Sequence, residues 1–217
     1  MLDLLLPQRC VVCSRRGVQI CAGCLGLLPR IVPPLCERCG APTAWPVSRC
    51  RDCAGRRLAF RSARAAVVYD ESVRAFVAAW KERGLRRLVD RAAEVVLETL
   101  PAPEAPLLTY VPSDRDRGLE RGHDPPRRLA EALGGGWQLP VEPLVRRARP
   151  IKRQRGLTRG ERRRNVAGAF VASMSPPRIT LVDDVFTSGA TANAAASALR
   201  RAGARRVGVV TFARVVR

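Results

Sequence analysis

All eight cysteines of this 217-residue chain fall between Cys10 and Cys53, in four pairs of identical spacing: Cys10/Cys13, Cys21/Cys24, Cys36/Cys39 and Cys50/Cys53. A CxxC step lets one tight turn present two thiolates to a single metal, and two such steps complete the tetrahedron that zinc prefers. Four repeats supply ligands for two closed tetrathiolate sites, with no position left for a catalytic water, so the metal's role is structural. Spacing leaves open whether one or two zinc ions are held, and whether neighbouring pairs share an ion or the pairs interleave. From Met1 to about Phe60 the chain is otherwise dense in Cys, Pro, Gly and Arg, without a helical or alternating hydrophobic period. That is the pattern of a loop module whose core is its metal.

The other three quarters of the chain contain no cysteine and are long enough, at about 150 residues, to bury a core of their own. Two units are therefore expected, a cysteine-rich zinc-binding module over 1–60 and an α/β domain over 61–217. Ala63 to Tyr69 reads as a strand, and Glu71 to Leu100 as two helices broken at Gly84. Leu107 to Val111 reads as a buried strand that Pro112 ends before a charged loop, Ser113 to Gly122. A helix is expected near Arg127 to Leu133, closed by Gly134 to Gly136, and a short strand at Val141 to Val145. The very basic Arg146 to Arg164 reads as a flexible loop before apolar Gly168 to Val171. The clearest unit is the last: strand Arg178 to Val182, loop Thr187 to Thr191, helix Ala192 to Ala202 stopped by Gly203, and strand Val207 to Phe212. Strands interleaved with helices predict a mostly parallel sheet with flanking helices and a ligand site at the strands' carboxyl ends.

The loop run Ile179 to Thr191, ITLVDDVFTSGAT, joins an apolar strand to two adjacent carboxylates and then to a hydroxyl and glycine turn that opens a helix. At a helix start the unpaired backbone N–H groups point outward. Gly189 permits a backbone geometry closed to other residues, and Thr187, Ser188 and Thr191 add hydroxyls. With the amide of Ala190, these suit a monophosphate. Asp183 and Asp184 can accept hydrogen bonds from vicinal sugar hydroxyls or orient magnesium through water. No GxxxxGK run is present, so a nucleoside triphosphate P-loop is not supported.

The charge balance is 39 Lys plus Arg against 19 Asp plus Glu, a formal +20, which attracts polyanions through counterion release. Only Lys81 and Lys152 are lysines; coding bias accounts for Arg in place of Lys but not for twice as many bases as acids. No apolar stretch approaches the roughly 20 residues of a transmembrane helix, and no signal peptide is read at the N-terminus. A cytoplasmic protein is expected, in a compartment where clustered cysteines bind metal rather than form disulfides.

Taken together, Ile179 to Thr191 resembles the phosphoribosyl pyrophosphate (PRPP) signature of type I phosphoribosyltransferases. Four CxxC pairs, the loop VPSDRDRGLERGHD, the segment RGLTRGERRRNVAGAF and a terminal strand ending in TFAR resemble the ComF (ComFC/GntX-like) family. The resemblance implies a zinc-ribbon-like N-terminus on a phosphoribosyltransferase-type fold, and an association with uptake of transforming DNA alongside a helicase-like ATPase. It implies Asp183 and Asp184 at the ribose hydroxyls, also as the catalytic pair, and Thr187, Ser188, Gly189, Ala190 and Thr191 around the 5′-phosphate. It places Ser113, Asp114, Arg115, Arg117 and Arg121 near a magnesium-bound pyrophosphate. Where the family reads ERGFNQ, this chain has Glu120, Arg121, Gly122, His123, Asp124 and Pro125. His123, the only histidine, stands at an aromatic position, which favours packing or surface exposure over a general base. The basic segment from Arg146 to Arg164 suits a pyrophosphate, a DNA backbone or plain solvation.

Three functions fit these residues. The first is a PRPP-binding accessory protein of DNA uptake that engages single-stranded DNA or the ATPase. The second is an active phosphoribosyltransferase with an unidentified acceptor, and the third is a zinc-held interaction module on a catalytically inactive fold.

Overall fold

The computed structural model describes residues 8–113, 124–149 and 158–216. Its parallel sheet is built from β1 (Ser62–Val68), β2 (Leu108–Tyr110), β5 (Arg178–Phe186) and β6 (Arg206–Arg214), hydrogen-bonded in the order β1–β6–β5–β2. A separate antiparallel pair joins β3 (Val145–Arg147) to β4 (Phe170–Ala172). The helices are α1 (Ala22–Gly26), α2 (Glu71–Lys81), α3 (Leu88–Thr99), α4 (Pro125–Trp137), α5 (Arg159–Val166) and α6 (Ala190–Arg201). The expected fold class, a mostly parallel sheet with flanking helices behind a small cysteine module, is what the chain adopts.

The central strands are apolar on both faces because both faces are covered, as parallel sheets require. Ile179, Leu181, Val207 and Val209 face one cluster, which contains the alanines of α6; Val182, Val210 and Phe212 face a second, which contains α2, α3 and α4. On that second face Phe212 lies 5.1 Å from the ring of Phe76 and 6.3 Å from that of Trp80. Two helix starts are set by carboxylates: the Val73 amide donates to Asp70 at the head of α2, and the Arg127 amide to Asp124 at the head of α4.

The cysteine module straddles the sheet. Cys10, Ile20 and Leu28 belong to the α2–α4 face, whereas Cys36, Cys39, Cys53, Leu58 and Phe60 belong to the α6 face. The segment between them runs antiparallel along the outer edge of β1, where the Ile31 amide donates to Ala66 (2.8 Å) and the Val68 amide to Pro29 (2.9 Å). An edge strand that would otherwise offer unpaired groups to another chain is thereby closed.

Several elements differ from expectation. β5 continues four residues beyond Val182, because β6 also runs on to Arg214 and supplies ladder partners as far as Phe186. α6 begins at Ala190, inside the expected loop. Gly134 to Gly136 lie within α4 rather than closing it. A Cβ on Gly134 would come within 2.5 Å of Val141, and one on Gly136 within 2.4 Å of Leu97, so these glycines permit close packing. The helix stops instead at Gln138, in the left-handed conformation (φ 56°). The short strand falls at Val145–Arg147, two to four residues later than expected, with Val141 making only an isolated bridge to Leu108. Part of the expected loop is ordered: Arg146 and Arg147 lie in β3, and Thr158 with Glu161 forms a reciprocal capping box for α5. The module expected to lack helix contains α1.

Phe212→Ala should cost about 3–5 kcal/mol, as truncation of a fully buried aromatic side chain does. Urea unfolding of the two proteins checks this, with a lower midpoint and an unchanged slope expected.

Candidate functional site

The eight thiols form two separate clusters, Cys10/Cys13/Cys21/Cys24 and Cys36/Cys39/Cys50/Cys53, each with its sulfurs within 4.8 Å of one another. Neighbouring pairs share a site, which settles what spacing left open. The sulfur separations of 3.7 Å (Cys13–Cys21), 3.6 Å (Cys36–Cys53), 3.5 Å (Cys39–Cys50) and 3.8 Å (Cys50–Cys53) match the edge of about 3.8 Å that a tetrahedron with Zn–S bonds near 2.3 Å requires. The amide of Cys50 donates to the Cys36 sulfur at 3.2 Å. Burial raises the Cys36 thiol pKa, but the amides of Cys39, Cys50 and Arg38 outweigh it and bring the thiol down to about 7. At the first site burial of Cys10 is likewise overcome by the amides of Cys13, Cys21 and Val12, which bring its thiol to about 6. Each cluster thus contains a thiol already biased toward the form that ligates metal. The donor set and geometry fit two structural zinc ions.

The second candidate site lies where β5 runs into α6. Phe186 ends the strand, and Gly189 turns the chain in the left-handed conformation (φ 70°) directly before the helix. A Cβ at Gly189 would lie 2.5 Å from the Phe186 ring, so both the backbone angle and the close approach require glycine. Gly189 at the N-cap carries no side chain with which to cap α6, and the helix begins beside the hydroxyl of buried Ser188. That hydroxyl accepts from the Ala190 amide at 3.4 Å. Thr187 and Thr191 are half-buried beside it.

Asp183 and Asp184 lie inside β5, not after its end, in register with β6 at Thr211 for the first of them. Successive strand residues point to opposite faces, and the two carboxylates accordingly have different surroundings. Asp184 is buried and forms an ion pair with Lys81 at the end of α2, Nζ to Oδ2 2.5 Å. Asp183 accepts the Asp184 amide at 2.9 Å. Withdrawal of its carboxyl from water, together with the charge of Asp184, pushes the Asp183 pKa up to about 8, against the opposing pull of Lys81, the Asp184 amide and Arg147.

Lys81 escaped the sequence reading as a site residue, since it belongs to no motif, and Arg147 entered it only as one of the basic segment Arg146 to Arg164. Arg147 lies in β3, donates to the Pro112 carbonyl at 2.9 Å and stacks its guanidinium 5.4 Å from the centre of the Phe170 ring. It thereby brings positive charge to the end of β2. Ser113, the one predicted pyrophosphate residue that is described, donates its hydroxyl to Asp124 at 2.9 Å and its amide at 3.2 Å. Asp124, at the departure from the ERGFNQ pattern, therefore ties the end of β2 to the start of α4. Asp114, Arg115, Arg117, Arg121 and His123 lie outside the described residues.

Residues 1–54 match the family described as the double zinc ribbon domain. The chain is 27% identical to Competence protein F of Haemophilus influenzae, over 95% of this chain and 96% of that one. It is also 27% identical to Competence protein ComFC of Streptococcus pneumoniae, over 90% and 87% respectively. Among solved structures it is similar to the glutamine PRPP amidotransferase of B. subtilis, crystallised with ADP and GMP, at 22% identity and a TM-score of 0.38; the match covers 57% of this chain and only 26% of that one. The resemblance to the ComF family carried by the motifs is therefore borne out over nearly the whole chain, with a double zinc ribbon at its N-terminus.

Proposed function

We propose that the junction of β5 and α6 binds PRPP, or another ribose 5-phosphate, with magnesium, and that this ComF-type chain couples that site to single-stranded DNA or to a helicase-like ATPase in DNA uptake. The observation that carries the reading is the start of α6, turned by Gly189 in the left-handed conformation with the Ser188 hydroxyl beside the Ala190 amide, directly after a strand that carries two carboxylates near its end. The helix amides and the hydroxyls of Thr187, Ser188 and Thr191 suit the 5′-phosphate. Asp183 and Asp184, which when ionised can only accept hydrogen bonds, suit the ribose hydroxyls. Magnesium, when bound with the pyrophosphate, neutralises charge on that group. Arg147 supports the same end of the sheet, joined in this reading by Ser113, Asp114, Arg115, Arg117 and Arg121. The division into units at 1–60 and 61–217 is part of the proposal.

DNA contact is supported by the +20 formal charge and by Trp45, 69% exposed on the second half of the ribbon with exposed Arg49 and Arg51 nearby in sequence. Exposed aromatic side chains and exposed arginines are the equipment for stacking bases while holding phosphates.

A second reading, transfer of the ribose phosphate to an acceptor, is favoured by the raised pKa of Asp183, because strongly shifted carboxyls concentrate at reacting centres. Acceptor-dependent release of pyrophosphate that disappears in Asp183→Asn would establish it. Without an acceptor the site serves binding alone.

Calorimetric titration with PRPP and magnesium tests the principal reading. Saturable binding is expected, with a thermal stabilisation worth about 2.7 kcal/mol at 100 times the dissociation constant. Asp184→Asn should abolish both, and a wild-type chain that binds neither would overturn the reading.

The same titration should depend on pH. Below about 8 Asp183 holds a proton that an unfolded chain, with its carboxyl at 3.8, has already lost, so this group's contribution to stability falls as pH rises between those values. Ligand binding through the carboxylate releases that proton. Affinity should therefore rise from pH 7 to 9, and paired buffers of different ionisation enthalpy should reveal the release. Asp183→Asn should flatten the dependence.

Binding of labelled single-stranded DNA, followed by anisotropy, should weaken about tenfold between ~50 and ~200 mM salt for every two or so phosphates neutralised. Trp45→Ala should weaken it further without altering the salt slope. Salt-independent affinity would remove the DNA component.

A further inference from the structure

The second cysteine cluster and the ribose-phosphate loop are joined by contacts that the first cluster does not share. Arg214, at the end of β6, is 3% exposed. Its guanidinium donates to the Cys39 carbonyl, lies 3.9 Å from the Cys39 sulfur and sits 5.0 Å from the centre of the Phe186 ring. Phe186 is the residue against which Gly189 is packed, and its other ring contact is Phe60 of the module, edge-on at 6.0 Å. Arg56, three residues past Cys53, donates to the Ser188 carbonyl at 3.0 Å, in the middle of the loop. The Ala59 amide donates to the Asn193 side chain in the first turn of α6 at 2.7 Å.

These bonds reach the loop through its own backbone, its glycine seat and its helix. They come from residues whose positions depend on the Cys36/Cys39/Cys50/Cys53 cluster. The Cys10/Cys13/Cys21/Cys24 cluster lies against the opposite face of the sheet, with α2 and α3. A loop whose amides must all converge on one anion loses most of its affinity when its shape is not held in advance.

We propose that the second tetrathiolate site and the loop Thr187–Thr191 form one cooperative unit, in which Arg214, Arg56 and the Ala59–Asn193 bond are positioning contacts and metal at that site alone sets the loop's anion-binding shape. In the direction of the loop, loss of metal frees Cys39 and Cys53 to move and withdraws Arg214 from Phe186 and Arg56 from Ser188. In the direction of the metal, a ligand that fixes the loop fixes Arg56 and Arg214, and the cluster holds its ion more tightly. Linkage requires the two effects to be equal. The ligand side of the proposal rests on the ribose-phosphate reading of the loop, whereas the metal side does not.

Hydrogen exchange on the full-length protein separates the two. Wild type should contain two zinc ions, and Cys13→Ser and Cys50→Ser one each. In Cys50→Ser the amides of residues 186–193 should exchange about tenfold faster, the size of effect that loss of a buried charged hydrogen bond produces locally; in Cys13→Ser they should be unchanged. Arg214→Met, which keeps every zinc ligand, should also speed exchange at 186–193, and amides of α4 serve as the internal measure that the sheet remains folded. Wild-type protection of the loop in both Cys50→Ser and Arg214→Met, or equal loss in Cys13→Ser, would overturn the coupling. The equilibrium zinc affinity of the second site, measured in Cys13→Ser by competition with a chromogenic chelator so that only that site reports, should rise on addition of magnesium and PRPP by the factor that zinc adds to PRPP affinity. A wild-type protein that fails to bind PRPP would sink the ribose reading and leave the exchange result to decide the coupling.

Discussion

The parallel pairing of β5 with β6 from Arg178 to Phe186 is the constraint on which the rest of the molecule depends. Because both strands run past their apolar cores, the ladder carries Asp183 and Asp184 within regular extended backbone and delivers Phe186 to the place where α6 begins. The same extension of β6 sets Arg214 beside Phe186. Had the pairing stopped at Val182, the carboxylates would sit on an unpaired turn with no fixed direction. In the ladder their side chains alternate, so one meets Lys81 from the helical face and the other, half-buried, faces the opposite side.

Charge in this site is arranged by burial more than by number. The chain is strongly basic overall, yet the two groups that matter at the strand end are acids, one paired to a lysine and one shifted toward its neutral form. A cation or a donor-rich sugar entering there replaces interactions that the protein already makes internally. The charge state of Asp183 is thus tied to its neighbours, because the adjacent Asp184 carboxylate disfavours a second negative charge beside it.

The cysteine module contributes to the fold in a way its composition does not suggest. Its middle segment closes the β1 edge, and its two metal clusters lie on opposite faces of one sheet. The half containing Cys36 to Cys53 shares a core with α6 and the end of β5, through Phe60 and Leu58. A structural metal in such a place stiffens more than the loops that ligate it.

The sequence by itself determined the cysteine ligand pairs, the parallel α/β class and the carboxylate–glycine loop, because each is local. A CxxC turn, an apolar run of strand length and a glycine before a helix have the same meaning wherever they fold. Only the tertiary structure decided which cysteine pairs share a metal, since chain path and not spacing brings sulfurs together. It also decided that Gly134 to Gly136 continue α4 rather than end it, because Val141 and Leu97 press against them. Lys81, Arg147, Arg56 and Arg214 lie in four separate parts of the chain, Lys81 in no motif and the three others among so many arginines that nothing local distinguishes them. Their roles come from long-range contacts, which burial and packing create and no periodicity records.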